Sequence, residues 1–170
     1  FPEAERLYKR ALSIRERALG RQSPEVAEIL ASIAFVHQSD NKYLLAETLY
    51  KEALTISETA RGAESPEAEA RLWDLACLYH NHNRYQKAEP YWKKLMDLRE
   101  RKLGMTHPDT QACIDSLIIC YLQLTKYKEA EQLLKQLTEL REMILGLDHP
   151  DVAACLHYLA EIMRADGRYE

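Results

Sequence analysis

The sequence predicts an all-α solenoid, a stack of antiparallel helix pairs with eight helices in all. Three observations carry the prediction. Residue types recur every 42 positions, a proline and a glycine punctuate each period at fixed places, and apolar residues keep helical spacing between them. Gly20, Gly62, Gly104 and Gly146 mark the period, and Pro24, Pro66, Pro108 and Pro150 keep the same step. So do Tyr43, Tyr85, Tyr127 and Tyr169, with Phe1 in the preceding slot, and the pairs Ala4-Glu5, Ala46-Glu47, Ala88-Glu89 and Ala130-Glu131. Such self-similarity is the signature of stacked supersecondary units, none of which buries its apolar face alone.

The chain opens in a partial repeat (1–22) that holds one lone helix, ended by Gly20. Three full repeats follow, 23–64, 65–106 and 107–148, and a partial repeat over 149–170 supplies a last helix; together they read as a single solenoid over 1–170. Within each period the first helix starts at Ser23-Pro24, Ser65-Pro66, His107-Pro108 or His149-Pro150. Proline suits the first helical position, where its missing N–H would be unpaired anyway, and serine is a good N-cap. An acid follows each proline and meets the positive end of the helix dipole. The helix is expected to end near Asn41, Asn83, Thr125 or Gly167; Thr125 suits a left-handed residue least. The second helix starts at the repeated Tyr and runs about 18 residues, some 27 Å. Pro90 lies past its first turn and predicts a late start or a slight kink. In the last helix Leu156, Leu159 and Met163 are expected to pack back on the preceding repeat. Opening on Phe1 and stopping at Glu170 in mid-pattern, the chain reads as cut from a longer protein.

Composition narrows the function. With 46% apolar and 29% charged residues the chain can bury a core. A net charge of −4 and a pI near 5.9 disfavour nucleic acid, which calls for clustered Lys and Arg. No apolar run reaches the roughly 18 residues that a membrane helix needs. Cys77, Cys113, Cys120 and Cys155 form no Cys-x-x-Cys pair and sit inside helical patterns, which predicts reduced, buried thiols and a cytoplasmic protein. His80 and His82, two apart, do not share a helical face, so no metal is expected. Phosphate loops, nucleophile elbows and zinc-protease motifs are absent, and neither an enzyme nor a cofactor is predicted.

A two-helix unit with these small and aromatic positions resembles the tetratricopeptide repeat. The 42-residue form, read here as KYKEAEQLL…ILGLDHPDVAACLHYLA, is similar to the repeats of kinesin light chain and nephrocystin-3. The resemblance covers the entire chain and implies a right-handed superhelix whose first helices line a concave groove that receives peptides. It implies Glu28, Ser32 and Phe35 on that groove in the first full repeat. In the second it implies Trp73, Asp74, Cys77 and His80. Asp115, Ser116 and Ile119 follow in the third, and His157, Tyr158, Glu161 and Arg164 on the last helix. The Asn, Lys and Arg with which chaperone-binding relatives clamp a C-terminal carboxylate are missing from these slots, and so is the asparagine of kinesin light chain. Four acids against the single Arg164, with Phe35, Trp73 and Tyr158, predict a protein-binding scaffold for basic and apolar peptide segments, without nucleic-acid or membrane partners. The resemblance also admits a sensor module restraining a signalling or nucleotide-binding domain, and uncovered ends admit a self-associating structural module.

Overall fold

The computed structural model describes residues 2–167, so the slots of Phe1 and Tyr169 lie outside the described residues. These residues form eight helices: α1 (Pro2–Leu19), α2 (Pro24–Ser39), α3 (Tyr43–Arg61), α4 (Pro66–Asn81), α5 (Tyr85–Leu103), α6 (Pro108–Gln123), α7 (Tyr127–Leu145) and α8 (Pro150–Ala165). No strand occurs among the described residues.

The punctuation works as the period predicts. Ser23 and Ser65 extend their backbones ahead of α2 and α4, and their hydroxyls accept from Val26 N and Ala68 N at 3.3 and 3.2 Å. His107 and His149 do the same work through a ring nitrogen, Nδ1 accepting from Asp109 N and Asp151 N at 3.2 Å. The first helix of each repeat closes on a left-handed residue: Asn41, Asn83 and Thr125 all stand at φ 56° and Gly167 at 71°. Thr125 therefore adopts the conformation despite its branched Cβ, a strained choice for such a residue. At the far end of each second helix Gly62 and Gly146 take φ of 94° and 89°, a region open to glycine at little steric cost.

Of the two outcomes expected at Pro90, the late start does not occur: helix α5 begins at Tyr85 and continues through Pro90. Pro90 is exposed, which leaves its ring room, and the defect reduces to a missing N–H opposite the Gln86 carbonyl.

The chain packs as two compact units, Phe1–Tyr91 and Trp92–Glu170, with the boundary inside α5 just past Pro90. In the first unit α1, α2, α3 and α4 pack consecutively, and α2 also touches α4. Its core is built on Leu30, Ile33, Tyr50, Leu72, Leu75 and Tyr79, with Ala34, Ala46, Ala53 and Ala76 fully buried where helices approach. In the second unit α7 packs between α6 and α8 around Ile114, Leu117, Leu134, Leu137 and Ile162. Val152, Cys155 and Ile162 hold α8 to that core. Leu156, expected to share the task, is 50% exposed, because its slot faces away from α7.

A carboxylate is among the polar groups buried in the first unit. Glu47 is 7% exposed and accepts from Lys51 Nζ at 2.7 Å, Tyr79 Oη at 3.0 Å and Lys87 Nζ at 3.1 Å. Burial pushes its carboxyl up, but these bonds outweigh it and hold the group at about 2. Burial and the neighbouring Glu47 charge push the Tyr43 phenol up to about 12.

Candidate functional site

First-type helices present concave clefts in each unit. In the first, a cleft of about 360 Å³ lies among α1, α2, α3 and α4. It brings together Glu28, Ser32, Phe35 and Asp74, four of the anticipated positions, with Tyr8, Tyr50 and Arg71. Phe35 is 62% exposed, an unusual setting for a phenylalanine. A second cleft of about 440 Å³ opens beside it, bounded by Glu25, Glu28, Ser57, Arg61 and Arg71. Glu28 therefore faces both, and no ion pair engages it among the described residues.

In the second unit a cleft of about 530 Å³ lies between α6 and α8 with α7 as its floor. Asp115, Ile119 and Tyr158 line it together, as anticipated, with Ala112, Leu134, Arg141 and Cys155. Trp73, Cys77 and His80 are half-buried on α4 and line none of these three clefts; neither do Ser116, His157, Glu161 and Arg164. His80 stacks edge-on against Tyr85 at 5.3 Å, and burial pushes its imidazole pKa down. His157 lies 6.0 Å from the Tyr158 ring.

Local bonding restricts what these groups offer. Ser32 Oγ donates to Glu28 O at 3.0 Å and Ser116 Oγ to Ala112 O at 2.8 Å, so both hydroxyl protons are engaged within their own helices. Three of the four acids are already matched. Asp74 Oδ2 stands 3.1 Å from Arg71 Nε, and Glu161 pairs with Arg164 one turn on. Asp115 accepts from Arg141 Nη2 at 3.0 and 3.2 Å, while Arg141 Nη1 donates to Cys155 Sγ at 3.1 Å. Burial pushes Asp74 up, with Arg71 pulling the other way. Burial works against the Arg141 charge as well, and Asp115 and Cys155 outweigh it. The faces are thus less negative than a count along the first helices suggests.

Arg71 and Arg141 are the residues that reading the first-helix groove slots missed. Their signal lies in two aligned slots. One reads Arg15, Ser57, Arg99, Arg141 on second-type helices; the other reads Ile29, Arg71, Cys113, Cys155 on the first-type helices that follow. Where the second-type helix loses its arginine at Ser57, the first-type helix gains one at Arg71. In the second unit the arginine stays on the second-type helix, and Arg99 Nη1 donates to Cys113 Sγ at 3.4 Å as Arg141 does to Cys155. None of the four cysteines is in a disulfide, and three of them are buried. Among the described residues no three His, Cys, Asp or Glu side chains converge as a metal site would require, and no helix is long and apolar enough to cross a membrane.

Known proteins with this architecture are tetratricopeptide solenoids. Two crystal structures of a Podosopora anserina putative kinesin light chain with nearly identical TPR-like repeats, one of them of a substituted variant, superpose on 99% of the chain at TM-scores of 0.83 and 0.81 and 23% identity. They are covered over 80% and 79% of their own length. BtubC (BKLC) from P. vanneervenii superposes on 99% of the chain at TM-score 0.76 and 22% identity, over 67% of its length. No curated protein matches the sequence. The sequence pattern of the tetratricopeptide repeat matches residues 1–59, 26–101, 69–143 and 110–170, so that successive matches run through the whole chain, and the protein belongs to the tetratricopeptide repeat family.

Proposed function

We propose that the chain is a protein-binding scaffold that holds an extended or helical segment of its partner on the concave faces of its first-type helices. Repeats of this family generally mediate protein–protein interaction. The observation that supports the reading most directly is the pairing, in each unit, of an aromatic ring left open in a cleft with a carboxylate fixed by an arginine. Phe35 is 62% exposed over Asp74–Arg71, and Tyr158 is 43% exposed beside Asp115–Arg141. Exposed rings on preformed surfaces supply anchor area at low entropic cost, and a carboxylate held in place orients a ligand's amide or cationic donors. Because Arg71, Arg141 and Arg164 offset Asp74, Asp115 and Glu161, apolar burial is the larger part of the affinity and charge adds specificity. The favoured ligand is an apolar segment carrying one or two basic residues.

Selection of random displayed peptides on the 170-residue chain tests this. Recovered peptides should combine large apolar residues with Lys or Arg, and Phe35→Ala should weaken those held by the first unit, Tyr158→Ala those held by the second, each by about tenfold through faster dissociation. Peptides that bind both variants as tightly as the parent would place the ligand elsewhere.

A further inference from the structure

The last turn of α7 and the bend after it hold apolar side chains out in water. Met143, Ile144, Leu145 and Leu147 are 79%, 49%, 41% and 73% exposed. The 42-residue pattern does not call for three of them. In the earlier periods the slots of Met143 and Ile144 hold Arg17 and Ala18, Thr59 and Ala60, and Arg101 and Lys102, while that of Leu147 holds Arg21, Ala63 and Met105. Nor does a missing neighbour cause the exposure. Thr59 and Ala60 are exposed although α3 packs between α2 and α4, and Arg101 and Lys102 are exposed as well. These slots face water by the geometry of the repeat, so Met143 and Ile144 add nothing to the core. At the exposures observed, the four side chains offer on the order of 400 Å² of apolar surface, a size at which a patch on a monomer marks an interaction site. None of the four lines the clefts described above.

We propose that this patch docks a short amphipathic helix of a partner protein, one whose apolar stripe is flanked by lysines or arginines. Charge selects that occupant. Glu139, Glu142 and Asp148 border the patch, and no ion pair engages any of them among the described residues. Arg141, in the same stretch, does not offset them, because it is 8% exposed and turned inward on Asp115 and Cys155. Glu139 lies one turn before Met143 on the same helix face, so a cation held by Glu139 stands directly beside the apolar surface. An acidic border repels an anionic lipid surface, and a second copy offering the same patch would set acid against acid. The area fits a single helix. It is about half of the roughly 800 Å² that each partner buries in a standard protein interface, too little for a folded domain and enough for three or four helical turns. The surface is separate from the clefts, and the proposal does not rest on what they bind.

Met143→Arg and Ile144→Lys together install the residues that the preceding repeat carries in these slots, so the double variant should keep the parent's thermal melt. Random displayed peptides are depleted on that variant and then selected on the parent chain. The survivors should carry apolar residues three and four apart, flanked by Lys or Arg. They should bind the double variant at least tenfold more weakly than the parent, and bind Phe35→Ala and Tyr158→Ala chains as tightly as the parent. Glu139→Lys with Asp148→Lys should weaken the same peptides about tenfold at low salt and less at high salt. The proposal is overturned if depletion leaves no binder, if the survivors are acidic, or if they lose affinity with the cleft variants instead. Retention of the parent, but not of the double variant, on vesicles rich in anionic lipid would overturn it in favour of a membrane. Sedimentation that shows the parent growing in mass with concentration, and the double variant staying monomeric, would overturn it in favour of a contact between copies.

Discussion

Lys51, Lys87 and Tyr79 converge on the single carboxylate of Glu47, and its ionisation is tied to folding as a result. Its pKa falls from an ordinary 4.5 to about 2 in the native state. A depressed folded pKa means stability that is fully present above pH 4.5 and is lost as pH drops through 2. Urea unfolding followed by circular dichroism should show the parent weakening over that window, with Glu47→Gln weaker at neutral pH and flatter in acid. Equal acid sensitivity in parent and variant would refute the assignment. The Ala-Glu repeat makes Glu47 visible in the sequence, but its burial and its partners from α4 and α5 are not, because they depend on contacts between neighbouring repeats. The same holds for Arg71 and Arg141. Which helix supplies the guanidinium is decided across a helix interface, and the apolar period along one helix carries no trace of it.

At the scale of the helix, boundaries follow from single residues and were legible for that reason. Proline and cap at the start, glycine or a left-handed asparagine at the end, and a repeated tyrosine between them delimit the elements, since each has a specific effect on backbone hydrogen bonding. Pro90 was the exception. Expecting a late start or a slight kink assumed that a helix avoids an interior proline, yet α5 is helical from Tyr85 to Leu103, and the burial of Ala88, Trp92, Leu95 and Leu98 offsets the lost bond. The cost should be recoverable. The equivalent slot in the next repeat holds Gln132, and Pro90→Gln should raise stability by about 1–3 kcal/mol in a thermal melt, a few degrees for a chain of this size. An unchanged melt would mean that the proline sits where the helix has no bond to lose.

For the molecule as a whole, the period predicted the number and order of helices because each repeat is one structural unit and stability is close to a sum over units and joints. The clefts were legible only in part: the first-type positions were named, but not the arginines that reach them. Those arginines have a consequence for how the protein can gain or lose length. Each joint is written in two letters, one on either side, and the pairs Ser57/Arg71, Arg99/Cys113 and Arg141/Cys155 are each complete with one arginine. Excising residues 107–148 joins Arg99 to Cys155, which is still a complete word. Excising 65–106 joins Ser57 to Cys113, which has no arginine at all. The first deletion should therefore melt higher than the second, and Ser57→Arg should rescue the second while harming the intact chain, where it would press two guanidinium groups together at Arg71. Repeats that look interchangeable by length are thus not interchangeable in order, and recombination within such a gene is free only between joints that spell the same pair.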